Sequence, residues 1–180
     1  HSASILTEKL QASAFSAAQQ LTDLTDERMK TIFEISDAIS ISPVIRSLRR
    51  YTLPFTASKY YNIHQIGYTL ESYIVHKPLI QQIYIHCPQL KCLVNFDHIY
   101  TKENQYDSII EKNLHLSVEN FHALTAAQHQ YDLYVTDDGE RLLLFKTIST
   151  SLEDNSPTLT LIMVLNHSTF ASMLEDTAQT

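Results

Sequence analysis

Glycine is nearly missing from this chain: 180 residues hold two, Gly67 and Gly139. Two isolated glycines cannot build a Walker loop, a dinucleotide fingerprint or a nucleophile elbow. There is no Trp, and the two cysteines do not form a CxxC pair. HExxH and EF-hand patterns are also absent, so no metal site and no cofactor are expected. Charged residues make up 18%, below the roughly 25% of an average soluble protein. They comprise 13 Lys and Arg against 20 Asp and Glu, a formal charge of −7. That balance lacks the basic footprint of a nucleic-acid binder, and the cluster Arg46, Arg49 and Arg50 is too small to change it. The longest apolar run, Leu161 to Leu165, is far short of the roughly 20 residues that span a bilayer. Ser, His and Asp are present, but no local signature ties them into a triad. The reading is therefore not an enzyme. The chain opens on His1 rather than Met and shows no signal peptide, which reads as a piece of a longer protein.

What is there is a core and a changing pattern. Hydrophobic residues reach 44%, enough for one ordinary domain. Residues 1–41 contain neither Gly nor Pro. Leu10, Ala14, Ala17, Leu21, Leu24, Ile32, Ile35 and Ile39 form a stripe spaced by threes and fours, close to a heptad. About 35 residues of helix would be roughly 50 Å long, so this helix is expected to project or to pair with a second copy. Ser42-Pro43 restarts a short helix reaching about Tyr51. A second helix is expected over Ser58 to Val75, ended by Pro78. Strands follow at Ile80 to His86 and Leu93 to Phe96, joined by the short loop Cys87 to Cys92. Helices are expected over Glu103 to Asn113 and, capped by Ser117, to Gln128. Tyr131 to Thr136 and Arg141 to Thr150 form a hairpin around Asp138-Gly139. After the polar loop Ser151 to Pro157 comes the last strand, Thr158 to Leu165. It is apolar on both alternations and should lie centrally, covered on both faces. Asn166 would cap a closing helix. The order predicts an α+β domain with a five-stranded antiparallel sheet: residues 1–41 as a long helix, and 42–180 as the sheet domain.

The candidate site rests on polar aromatic content. On the first strand Gln82, Tyr84 and His86 alternate with Ile83 and Ile85. Asn95, Asp97 and Tyr100 follow the second strand, Tyr134 falls on the third, and Lys146 on the fourth. If these converge on one sheet face, they line a pocket with apolar walls and a few oriented polar groups, the usual make-up of a small-ligand site. The competing reading makes the tyrosines core edges and the rest surface. Cys87 and Cys92 have four residues between them. Opposed positions on a hairpin bring Cα atoms to about 4.5–5.5 Å, within disulfide range. An extracellular domain would bridge them, and a cytosolic one would leave two thiols. A zinc site using these cysteines with His86 and His98 lacks a recognised spacing. His115, His122 and His129 recur every seven residues, about 10.5 Å of helical rise, and read as a solvated face.

These strings, in this order, resemble a Cache domain, the extracellular PAS-like sensor of bacterial membrane receptors. The carriers are the long first helix, the strand Ile80 to His86, the strand Leu93 to Asp97 leading to Tyr100, the Asp137 to Glu140 hairpin, and Leu161 to Asn166 running into a helix. Similar strings occur in sensor regions of membrane-anchored AraC-type transcription regulators and histidine kinases of Gram-positive bacteria. The resemblance implies a PAS-like sheet on the extracellular face of the cell membrane. A small ligand would be held by the sheet and the connection between its second and third strands. A long helix would continue from a transmembrane segment, and a cytoplasmic output domain would follow. It implies a parent protein anchored in the membrane, a homodimer through the N-terminal helix, and no nucleic-acid binding by this domain itself. Amino-acid-binding members carry an Arg-x-Trp element after the second strand. Tyr100 to Tyr106 has none, so an amino-acid ligand is not expected. The alternatives are a structural or dimerisation domain without a ligand, and a cytosolic PAS-like regulator.

Overall fold

The computed structural model describes residues 27–75, 78–148, 158–166 and 168. The first part of the expected long helix, the loop over 151–157 and the closing helix beyond Ser168 lie outside the described residues.

Helix α1 (Glu27–Ile41) turns Met29, Ile32, Ile35 and Ile39 inward at the spacing of one helical face. The hydroxyls of the buried Ser36 and Ser40 bond back to the carbonyls of Phe33 and Ser36, so this stripe leaves no polar group unsatisfied. Ser42 accepts from the Ile45 amide and Pro43 occupies the first turn, which restarts the chain as α2 (Pro43–Arg46) and a 3-10 turn (Ser47–Arg50). Thr56 caps α3 (Ala57–Tyr68) through the Lys59 amide. The helix expected to run unbroken to Val75 is interrupted at Thr69 and Leu70 and resumes as α4 (Glu71–Val75). There the Leu70 amide bonds the Gly67 carbonyl, a tighter closure that drops Leu70 into the core. Among the described residues no helix is long and apolar enough to cross a membrane.

The sheet has six strands: β1 (Ile80–Cys87), β2 (Cys92–Val94), β3 (Ile99–Thr101), β4 (Asp132–Val135), β5 (Leu142–Ile148) and β6 (Leu159–Leu165). Every pairing is antiparallel, in the order β3-β2-β1-β6-β5-β4. Five strands were expected; the sixth is β3. It was hidden because Asn95 ends β2 early. Its Oδ1 accepts from the Asp97 and His98 amides, and its own amide bonds the His98 carbonyl. This side-chain-closed turn folds Ile99–Thr101 back onto β2. Between β3 and β4 lie α5 (Tyr106–Lys112) and α6 (Val118–Ala126), the latter capped by Ser117.

Two cores result, one per face. The upper core joins Ile83, Ile85, Val94, Leu144, Leu161 and Met163 to the inner side of α1–α4. The lower core joins Tyr84, Tyr134, Phe145, Ile162 and Val164 to α5 and α6. All seven residues of β6 are buried, as a strand apolar on both alternations requires. Cys87 and Cys92 are direct cross-strand partners, as the loop length suggested, but both are buried free thiols rather than a bridge. The neighbouring Cys92 thiol, and then burial, push the Cys87 thiol well above its ordinary pKa, which suppresses the reactive thiolate.

Two predictions follow from this packing. A Cβ at Gly67 would lie 2.5 Å from the Asn95 carbonyl oxygen and 2.6 Å from Val94 Cγ1. Gly67→Ala should therefore cost about 1–3 kcal/mol through overpacking, read as a lowered urea midpoint; an unchanged midpoint would contradict the close approach of α3 to β2. Ellman's reagent, without reductant, should react with both thiols in denaturant and slowly in the native protein. Silence in denaturant would reveal a disulfide.

Candidate functional site

The residues proposed from the sequence do not converge on one pocket. Tyr84, His86, Tyr100 and Tyr134 do share the lower face, but Lys146 lies on the upper face. Side chains one position apart on a strand point to opposite sides, and the register places Lys146 opposite Leu161, on the α1 side. Its ammonium bonds Asp37 Oδ1 of α1 at 2.7 Å and sits 4.0 Å above the Tyr131 ring, whose hydroxyl bonds the same carboxylate. Lys146 therefore clamps helix to sheet. Asn95 is consumed by its turn. Asp97 is exposed and pairs with His98 at 3.2 Å, while its backbone carbonyl meets His64 Nε2. Tyr84 and Tyr100 pack on each other at 6.4 Å between ring centroids, and the Asn113 amide donates to the Tyr84 hydroxyl. Tyr134 is buried at the opposite edge of the sheet, its phenol pushed up to about 12 by burial. Among the described hollows, His86 lines the two of about 330 and 320 Å³ and Tyr84 a smaller one of about 180 Å³.

Two adjoining hollows of about 330 and 320 Å³ share His86, Pro88 and His122. They lie where the end of β1, the β1–β2 loop and α6 meet. One continues over Thr125, Ala126, Ala127 and Gln128 to Thr158. The other continues past Tyr106 to Lys91 and Lys102. His86 is 5% exposed. Its Nε2 is 3.0 Å from the Tyr106 hydroxyl, and its ring meets Phe121 edge-on at 5.0 Å. Burial, and secondarily His122, hold His86 down at a pKa of about 3, so near neutral pH it is an uncharged ring. Among the described residues its other nitrogen, Nδ1, has no protein partner. An uncharged imidazole donates from one nitrogen and accepts at the other, so the Tyr106 bond decides whether Nδ1 donates or accepts. Tyr106 carries the Lys102 ammonium 5.0 Å above its ring, and burial pushes its phenol well above the usual range. His122 is exposed and lowered by partial burial and then by Lys102.

The α6 wall of the cleft is anchored at its end by His129. Nδ1 meets Asp132 Oδ2 and Nε2 meets the Leu124 carbonyl, both at 2.6 Å, while the amide donates to Thr147 Oγ1. The three histidines expected on one solvated face thus occupy three environments: His122 at the cleft, His129 buried, and His115 in an ion-pair cluster. His115 Nδ1 lies 2.7 Å from Asp138 Oδ2 and 3.3 Å from Glu140 Oε2. Of the described residues, these three stand nearest to a metal-ligand set. The hairpin accounts for them without an ion: the Thr136 hydroxyl, the Glu140 amide and His115 together pull the Asp138 carboxyl down to about 2.

Sequence reading missed Tyr106, His122, Lys91 and Lys102. The available signal was a run from His86 to His122 holding three lysines, Lys91, Lys102 and Lys112, in an acidic chain; its convergence depends on how α5 and α6 fold back over the sheet. No protein-family model, no curated protein and no solved structure matches this chain.

The neutrality of His86 has a measurable consequence. Its folded pKa of about 3 lies below the ordinary 6.5. As pH falls through 6.5 the unfolded chain takes up this proton and the folded chain does not. Stability should therefore fall as pH drops from about 6.5 towards 3, by up to about 1.4 kcal/mol per pH unit from this group. His86→Gln should flatten that part of a urea-midpoint against pH curve; an unaltered slope would contradict the buried neutral ring.

Proposed function

We propose that this chain is the ligand-sensing domain of a bacterial membrane-anchored signalling protein, displayed on the extracellular face, and that the His86–Tyr106–His122 cleft takes its small-molecule ligand. The observation that carries this reading is the cleft itself: a nearly buried histidine, bonded through Nε2 to the Tyr106 hydroxyl, lines a hollow large enough for a small metabolite. The architecture is compatible with a PAS-like sensor. An antiparallel sheet carries the β3–β4 connection, α5 and α6, over one face, and that connection supplies Tyr106 and His122. The site is thus displaced from the sheet centre to the sheet's end, with Tyr106 and His122 in place of Asn95, Asp97 and Lys146.

A route for the signal follows from the opposite face. Lys146, Tyr131 and Asp37 bind α1 to β5, and Phe33 of α1 packs on Tyr131 at 4.7 Å. A ligand that binds two arrangements of α6 and the sheet unequally shifts their populations by that difference. The shift reaches α1 through this contact as a small displacement. In a dimer paired through the N-terminal helix, that displacement would be passed towards the membrane.

One observation favours a second reading, a structural or dimerisation domain without a ligand. The lower core is packed with the large buried side chains Tyr84, Tyr106, Phe121, Tyr134 and Phe145. The free thiols fit a cytosolic placement equally, and the thiol count above separates the two compartments.

A thermal-shift screen of metabolites on the 180-residue chain, followed by calorimetry, tests the proposal. Tyr106→Phe and His122→Ala should each weaken a hit about tenfold, one lost charge-assisted or buried hydrogen bond, while Asp97→Ala leaves it unchanged. A hit indifferent to both cleft variants, or a screen without hits, would overturn the assignment.

A further inference from the structure

The cleft gathers cations in a protein that is acidic overall. The whole chain carries −7, yet among the described residues no Asp or Glu lines either hollow, and Lys91 and Lys102 line one of them. We infer that the ligand is a small organic anion, its charged end set between Lys91 and Lys102 and its uncharged body against Tyr106, His122 and Pro88. This rests on the cleft being the ligand site proposed above and adds the chemical class.

Three features carry the inference. Lys91 follows the 3-10 turn Pro88–Leu90 in a left-handed conformation, φ 49°, which fixes its Cα at the mouth. Among the described residues it has no ion-pair partner. Lys102 has one, Asp107 at 3.1 Å, but both members are about half exposed; such pairs contribute little and an incoming anion can take Asp107's place. Finally, the buried groups behind the lysines are uncharged. His86 is held neutral and the Tyr106 phenol protonated, so they can supply hydrogen bonds without adding charge of their own; the acidic group that acts on Tyr106 and His122 is Asp107, the partner of Lys102. A cationic rim in front of a neutral, partly apolar floor selects anions over neutral isosteres. Two ammonium groups in a recess also focus the local field more than the same charges on a convex surface.

The test uses three anions, benzoate, succinate and inorganic phosphate, with benzamide and succinamide as neutral counterparts of the two organic acids. Each is titrated into the full chain by calorimetry at low and high salt. The expected result is that benzoate or succinate binds at least about tenfold more tightly than its amide, and that added salt weakens it. Lys91→Met and Lys102→Met should each weaken it several-fold, with thermal midpoints close to the parent because both side chains are solvent-facing. Binding of phosphate alone, with neither organic acid, overturns the organic body. Equal binding of acid and amide, weakened by Tyr106→Phe, overturns the anion and leaves the cleft as the ligand site. An acid that binds with indifference to Tyr106→Phe and both lysine variants overturns the cleft as well. No heat from any probe at about 10 mM, a weak-binding ceiling, overturns the anionic class, whereas the metabolite screen decides the cleft independently.

Discussion

Strand β6 has no side to turn to water. All seven of its residues are buried, and β1 beside it carries Ile83, Ile85 and Cys87 on one face and Tyr84 and His86 on the other. An antiparallel sheet usually leaves one face solvated; one whose central pair is apolar on both faces needs a helical layer on each. The N-terminal helices supply the upper layer with the stripe Met29, Ile32, Ile35 and Ile39. The lower layer comes from a different part of the chain, α5 and α6, inserted between β3 and β4. The division of the core into two clusters follows from that requirement.

The same requirement locates the cleft. The lower layer is shorter than the sheet it covers: α5 has seven residues and α6 nine. At the end of β1, His86 packs against Phe121 of α6 and Tyr106 of α5, and His129 ties the end of α6 to Asp132 and the Leu124 carbonyl. The Tyr106 hydroxyl satisfies one nitrogen of the His86 ring, Phe121 packs on it edge-on, and a hollow lies beside it. Polar residues enter the core at this point, against the end of β1. On the upper face the polar group that enters, Lys146, is paired with Asp37 of α1.

Much of this was legible in the residues. The Ser42-Pro43 restart, the Ser117 cap, the Asp138-Gly139 hairpin and the central position of the last strand are local chemistry or simple alternation, and all four stand in the structure. Strand β3 was not legible, because three residues after a tight turn carry no periodicity of their own; Asn95 was read as a ligand contact when its amide oxygen closes that turn. Lys146 was misplaced for a different reason. Alternation gives the parity of a side chain within its strand, but linking the parity of one strand to that of another needs the register, and the register is a tertiary fact. Tyr106 and His122 were missed because they sit on helices whose docking angle no local pattern encodes. The histidine repeat misled in the opposite direction: a period of seven suggests one face only if the helix is continuous, and α6 contains just the middle member.

The central claim is that His86 and His122 line a ligand site. Imidazole nitrogen NMR of the intact chain during a benzoate titration tests it most directly. The account predicts that the His86 Nδ1 and His122 signals move together and saturate, while His129, bonded on both nitrogens, stays in place. A saturating titration that leaves His86 and His122 untouched would contradict it.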